Sequence, residues 1–394
     1  MKRDAGIWRT AVDEAHLVAF LLEALAYPSP QTDLLETDPQ IAAFIHDVVV
    51  PPVRALSPDL LHVDRMGNVL AQWGTGRPTL AILVYAMTHP QTVMADAFAP
   101  AVVDGAPYGV AGAVIRGRGA CEQKGAMAAA LAAARAVLPS PLQRPFALAA
   151  LTAGETGRPD AIRHLLNETG TTFEMAVVAC GTGNTVCLGQ KGRLDVDIVV
   201  RGRQSHSSMP WLGLNALEGA ATVLTRLARH TVVGEHPTLG PITLTPTAIA
   251  SAPRATHTVP ETVRITVDRR LRPGEDPQHA LAHLREVVGE IFPFVITYEP
   301  GPYMYAYERS ADDRLPRLLR EAYVRVLGRE PGYAYASGGL DAGYLNAAGI
   351  EAVMFGPGDP ARAHSADDIV GVPECVDAAA VLAYAIAQAC GAPV

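Results

Sequence analysis

Apolar residues recur at helical spacing through residues 8–27, at Val12, Leu17, Leu21 and Leu25, and stop at Tyr27-Pro28-Ser29-Pro30. This spacing predicts an amphipathic helix closed by proline, and residues 41–49 predict a second one. The period then changes. Residues 60–64 and 67–71 read as a hairpin turning at Gly67-Asn68. Three continuous apolar runs, 80–86, 148–152 and 175–179, predict strands buried on both faces. Each run ends on polar residues: Thr88-His89, Gly154-Glu155-Thr156 and Cys180-Gly181-Thr182. Ligands of open α/β sheets collect outside the carboxyl ends of the strands, so these three ends mark where chemistry is expected.

A different pattern begins near Gly192. Residues 194–200 alternate, 214–230 are helical, 264–268 alternate again and 277–288 are helical. Strand–helix–strand–strand–helix–strand order predicts a small α+β sandwich at about 193–301. Beyond it come a helix at 315–327, a strand at 353–355 running into Gly356-Pro357-Gly358, and a closing helix at 375–389.

Composition narrows the class. The chain has 394 residues, 49% hydrophobic and 18% charged, enough for two globular domains. A net charge of -8 with no basic tract argues against nucleic acid or an anionic membrane as partner. Met1-Lys2-Arg3-Asp4 does not lead into an apolar signal segment, and no transmembrane span is expected. Five cysteines, at 121, 180, 187, 375 and 390, form no C-x-x-C pair. Reduced thiols in a cytoplasmic protein are the expectation.

The loop Gly117-Arg118-Gly119-Ala120-Cys121-Glu122-Gln123-Lys124-Gly125 places a carboxylate and an amine between glycines, just before an alanine-rich helix. Glycines let backbone approach a ligand closely. His89 and His364 follow predicted strands, which favours a metal or acid–base site, although a strand-end histidine can serve structure alone. Glu155 could act as a general base if partly desolvated; the plainer role is a carboxylate at a helix N-terminus. Cys180 reads as a buried small hydrophobe or as a soft ligand. His206 lies in Ser205-His206-Ser207-Ser208, between a strand and a helix that Ser208 or Asn215 could cap. Arg269, Arg270 and Arg272 form a solvated edge or a clamp for a carboxylate.

Taken in order, these segments resemble the zinc-dependent aminoacylase and carboxypeptidase family, the group of acetylornithine deacetylase, succinyl-diaminopimelate desuccinylase and glutamate carboxypeptidase. The resemblance runs from Gly67-Asn68-Val69 through the Glu122 loop, the 205–216 segment, Val259-Pro260, residues 268–270 and Gly338-Gly339-Leu340-Asp341 to the His364 loop. It implies an α/β, zinc-exopeptidase-like catalytic domain, a mixed sheet flanked by helices, at 1–192 and 302–394. An inserted α+β ferredoxin-like lid and dimerisation domain would occupy 193–301. It also implies a homodimer through the lid, and two zinc ions sharing one carboxylate.

Carried over by position, Glu155 is the catalytic acid–base residue and His206 the lid histidine that stabilises the oxyanion. His89 and His364 match the metal histidines, Glu122 the bridging aspartate and Cys180 an acidic ligand. Thr156 replaces a ligand and Gln91 an orienting aspartate. Arg270, His257, Lys124, Gly338 and Gly339 fall to substrate binding. With its acidic ligands altered, the chain is expected to hold no zinc or one zinc ion, not two. The expected activity is that of a divergent amidohydrolase or peptidase-like enzyme on a small substrate bearing a carboxylate. The alternatives are conventional zinc hydrolysis of an N-acyl amino acid or short peptide, a metal-independent cyclase, acyltransferase or amide-forming enzyme, and a non-catalytic binding protein.

Overall fold

The computed structural model describes residues 7–32, 38–90, 93–154 and 159–392. The chain forms two compact units. The first comprises Met1–Leu188, Arg309–Ala334 and Leu340–Val394; the second comprises Gly189–Glu308 and Tyr335–Gly339.

The first unit is built on a mixed sheet. From one edge its strands are Leu60–Val63, Val69–Trp73, Phe146–Leu151, Leu80–Tyr85, Met175–Val178, Glu351–Met354 and Val186–Gln190. The four strands from Phe146–Leu151 to Glu351–Met354 are mutually parallel, and their neighbours on either side run antiparallel to them. The continuous apolar runs have a direct cause, because both faces are covered. Val84 packs with Met127 and Leu131 of the Gly125–Val137 helix. Tyr85, pointing the other way, bonds Asp341 at the start of the Ala342–Ala347 helix.

The closing helix, Val372–Cys390, packs on Gly125–Val137 and Arg314–Leu327. It is long and apolar enough to cross a membrane, but most of it is buried inside the unit. The alanines on both it and Gly125–Val137 keep the two helices thin where they meet.

Local chemistry moved several expected boundaries. The single helix expected at 8–27 is two, Ile7–Ala11 and Glu14–Ala26, because the Asp13 carboxylate accepts the His16 N–H at 3.0 Å and starts a new helix. The helix expected at 41–49 is longer. It runs as Pro39–Phe44, a π-turn at Ile45–Val49, and Val50–Ala55. Pro51 and Pro52 follow the π-turn directly, where the helix changes its winding and two backbone N–H donors are missing. The expected hairpin forms, but its turn spans residues 64–67, with Arg65 and Met66 at the tip and Gly67 at φ +85°, one step before the Gly67-Asn68 turn expected. A three-stranded sheet of Ile369–Gly371, Ala113–Arg116 and Ala101–Asp104 was not anticipated. Its strands are too short to show a period.

The second unit is an antiparallel sheet in the order Val232–His236, Gly240–Ala252, Thr262–Leu271, Gly192–Arg201 and Val295–Met304. Its inner face, including Leu194, Val196, Ile198, Val263, Ile265 and Val267, clusters with Ala220, Val223, Leu227, Leu281, Leu284 and Val288 of two helices. The helices are Ala216–Ala228, capped by Asn215, and Pro277–Val288, capped by Asp276. The alternation expected at 194–200 and 264–268 is the signature of this one-sided burial. A fifth strand, Val232–His236, extends the expected four.

Candidate functional site

In the first unit three loops meet at the peptide between Cys121 and Glu122. The first follows the Ala113–Arg116 strand. Gly119 takes φ +87°, where only glycine is free of strain, and a Cβ there would come within 2.8 Å of Thr88. Residues Ala120–Lys124 then make a π-turn, with the Gly125 N–H reaching back to the Ala120 carbonyl. Such wide turns cluster at functional sites. Glu122 therefore lies in the turn ahead of the helix, not on the helix. The second loop brings the Gly181 N–H to the Glu122 carbonyl at 2.9 Å. The third carries Gly358. A side chain on either Gly181 or Gly358 would collide with the Cys121 carbonyl, so both glycines are there for close approach.

The turn is held from below by Asp368, a buried residue that sequence reasoning did not single out. Its two carboxylate oxygens accept the Gly119 N–H at 2.6 Å and the Cys121 N–H at 2.9 Å, and its carbonyl accepts Gly117 N–H at 3.1 Å. The buried Arg118 guanidinium stands 3.6 Å away. Burial raises the Asp368 carboxyl, while the Cys121 and Gly119 amides and the Arg118 charge pull it back.

Above the turn, Glu122 Oε2 is 3.1 Å from His364 Nε2. The His364 ring lies against that of His89, with centroids 4.0 Å apart and planes at 33°. His364 itself has φ +60°, a strained conformation for a histidine. The structure thus brings His89, Glu122 and His364 together from three separate stretches of chain. Their side chains are partly open to solvent, at 43% for His364 and 28% for Glu122. An exposed pair of this kind contributes only about 0–1 kcal/mol by itself.

Cys180 follows the Met175–Val178 strand and is buried. Burial, then the neighbouring Cys187 and Glu122, hold its thiol well above the usual range. Among the described residues, no group of three or more His, Cys, Asp or Glu side chains is arranged to hold a metal ion. Glu155, Thr156 and Gln91 lie outside the described residues.

Lys124 is not at this cluster. Its side chain is wholly buried, and Nζ donates to the carbonyls of Ala24 at 2.7 Å and Tyr27 at 2.8 Å, above the Phe44 ring. Burial pulls the amine down to about 7. The expected role in substrate binding gives way to a tie between this loop and the end of the Glu14–Ala26 helix. Spacing alone could not separate the two roles, because they use the same residue type.

In the second unit, His206 and His257 come together. Ser205-His206 pairs with Thr258-Val259, and the two imidazole centroids are 6.1 Å apart. His206 Nδ1 accepts the Ser208 N–H at 3.1 Å, so a neutral ring carries its proton on Nε2. Both histidines are exposed. Arg270 is engaged twice by Asp268, at 2.9 Å through Nε and 2.9 Å through a terminal nitrogen, and it also donates to the Ser337 carbonyl. Its fork is already filled by a carboxylate, which shows the geometry it can grip. Gly338 is exposed, and a side chain on Gly339 would collide with Gln190. Arg269, one residue away, turns inward and pairs with Glu275 at 2.6 Å.

Comparison with known proteins agrees with this architecture. Residues 188–294 match the peptidase dimerisation domain of the M20 family. The chain is 29% identical to acetylornithine deacetylase of Myxococcus xanthus over 81% of its own length and 82% of that protein's. It is 26% identical to succinyl-diaminopimelate desuccinylase of Xanthomonas campestris over 79% and 84%. A solved M20 family metallo-carboxypeptidase from Sulfolobus solfataricus superposes with a TM-score of 0.74, at 18% identity, over 94% of this chain and 98% of that one. The resemblance to the aminoacylase and carboxypeptidase group is thus shown in sequence and in fold. The chain is an amidohydrolase- and peptidase-like enzyme.

Proposed function

We propose that this enzyme cleaves the amide bond of an N-acyl amino acid or short peptide, at a centre whose donors have departed from the usual two-ion set. The observation that carries this reading is the cluster of Glu122, His364 and His89, set beside the buried Cys180 thiol. That set suits no zinc or one zinc ion, with Glu122, His89, His364 and Cys180 as the available donors and Thr156 in place of a further ligand.

Glu155 is the acid–base residue. It takes a proton from the attacking water and returns it to the amine that leaves. Its position in the sequence supports this role. It follows the buried Phe146–Leu151 strand, and the preceding Gly154 is so tightly seated that a side chain would strike the Tyr85 ring. His206, with its proton on Nε2, is the oxyanion donor. Arg270, whose Nε and one terminal nitrogen are held by Asp268, is assigned to the substrate carboxylate through its remaining N–H groups, and His257, Gly338 and Gly339 are assigned to substrate binding. The second unit is the lid, and it supplies these residues in a homodimer. The five cysteines are free thiols, which supports a reducing compartment such as the cytoplasm.

The test joins metal content to turnover. Protein purified without added zinc is assayed for bound metal and for hydrolysis of N-acetylornithine, N-succinyl-diaminopimelate and dipeptides, with and without chelator. At most one zinc per chain, and loss of turnover in Glu155→Gln with ligand binding kept, are expected. Two tightly held zinc ions per chain would sink the altered-centre reading, and full activity in Glu155→Gln would remove the assigned acid–base residue.

A further inference from the structure

Glu122 and His364 are more than two hundred residues apart in sequence, and each sits on a loop. Their contact is partly open to water, and an exposed pair of this kind does not set its own geometry. Something beneath must hold the two loops in register. Asp368 lies four residues after His364, buried, and reaches across to the other loop. Its two side-chain oxygens take the N–H groups of Gly119 and Cys121, and its carbonyl takes that of Gly117. Cys121 adjoins Glu122. Immediately beyond Asp368, Ile369 pairs with Arg116, so the two segments continue zipped together as strands.

Successive N–H groups curled toward one carboxylate form an anion nest, here filled by the chain's own side chain. Bonds from backbone N–H to an ionised carboxylate are about twice as strong as neutral ones. The left-handed Gly119 is what turns its N–H into this nest.

We propose that Asp368 is a positioning residue for the reaction centre: by clamping the 117–121 loop onto the His364 loop, it sets Glu122 against His364. This rests on the reading that the Glu122–His364 pair belongs to the working centre. Asp368 touches no substrate and acts only through Glu122. Asparagine at 368 keeps the shape but offers one acceptor oxygen where two are used, and its amide nitrogen would face an N–H. Glutamate keeps the charge but is one methylene too long for the nest.

The experiment is ring-nitrogen NMR of the full chain labelled with 15N-histidine, with His364→Gln and Glu122→Gln assigning the His364 signal and its response to losing Glu122. Asp368→Asn is expected to move the His364 nitrogens as Glu122→Gln does, and to leave His206 and His257 unmoved. Asp368→Glu should give the same direction, and serves if the asparagine variant does not fold. Turnover of the probe amides should fall by about ten- to a hundredfold with KM little changed, as for a misplaced but still occupied site. Folded variants whose His364 signals match the wild type would overturn the inference, as would failure of both variants to fold, which assigns Asp368 to stability alone. If Glu155→Gln leaves turnover intact while the His364 shifts occur, the clamp stands and the proposed function fails.

Discussion

Asp341 offers a direct test of the buried polar interior. The residue is 2% exposed, and one side-chain oxygen accepts the Tyr85 hydroxyl at 2.9 Å, while its own N–H donates to the Tyr85 oxygen at 3.2 Å. Burial pushes its carboxyl from 3.8 up to about 7; the Tyr85 hydrogen bond pulls down, and the charge of Asp160 pushes up. Between those two values the folded chain holds a proton that the unfolded chain has lost. Stability from this group is therefore fully present below about pH 4 and is lost as pH rises through about 7. Roughly three units at about 1.4 kcal/mol each give about 4 kcal/mol over that window. Asp341→Asn keeps an oxygen for Tyr85 and carries no charge, so it should lack this slope. Urea unfolding followed by circular dichroism from pH 4.5 to pH 8 is the assay. The variant should gain on the wild type as pH rises, by about 3–4 kcal/mol across the range. A difference that stays constant with pH would refute the argument, because the carboxyl would then titrate as it does in the unfolded chain.

Further outcomes follow from the same contacts. Gly358→Ala places a methyl group against the Cys121 carbonyl at a φ of +102°, and should lower stability by about 1–3 kcal/mol or more, read as a drop in Tm. Asn68→Ala removes bonds to Asp64, Ala161 and Thr152 and leaves buried partners unpaired; a loss of about 2–4 kcal/mol in urea unfolding is expected, and a change under 1 kcal/mol would deny Asn68 its role as a bridge. Arg270→Ala should raise KM for a carboxylate-bearing probe about tenfold with kcat little changed, and a fall in kcat alone would contradict the clamp.

The elements most legible in sequence were those whose burial is simple. The strand Leu80–Tyr85 is apolar throughout because helices cover both of its faces, and Thr262–Leu271 alternates because helices cover only one. The helix Pro277–Val288 is legible from its period, and in the structure Asp276 caps it ahead of a proline in its first turn. Less legible were short or half-exposed pieces such as Ala101–Asp104, where four residues are too few to show a period. At the site, His89, Glu122 and His364 were found by chemistry at strand ends and by resemblance. Asp368 left no mark, since a carboxylate in Ala366-Asp367-Asp368 looks like any solvated loop residue until its N–H partners are known. Lys124 was misread for the converse reason: an amine in a glycine-rich loop suits a ligand, and nothing local shows that it points at two helix-end carbonyls.

By itself, then, the order of apolar and polar residues determined the two-unit α/β architecture and the set of loops where chemistry could gather, because hydrophobic period and capping act over a few residues at a time. Tertiary structure alone decided which side chains in those loops meet. It set Glu122 on His364, sent Lys124 into the core and gave Asp368 its clamp, because contacts between residues a hundred or more positions apart depend on how the whole sheet brings its strand ends together.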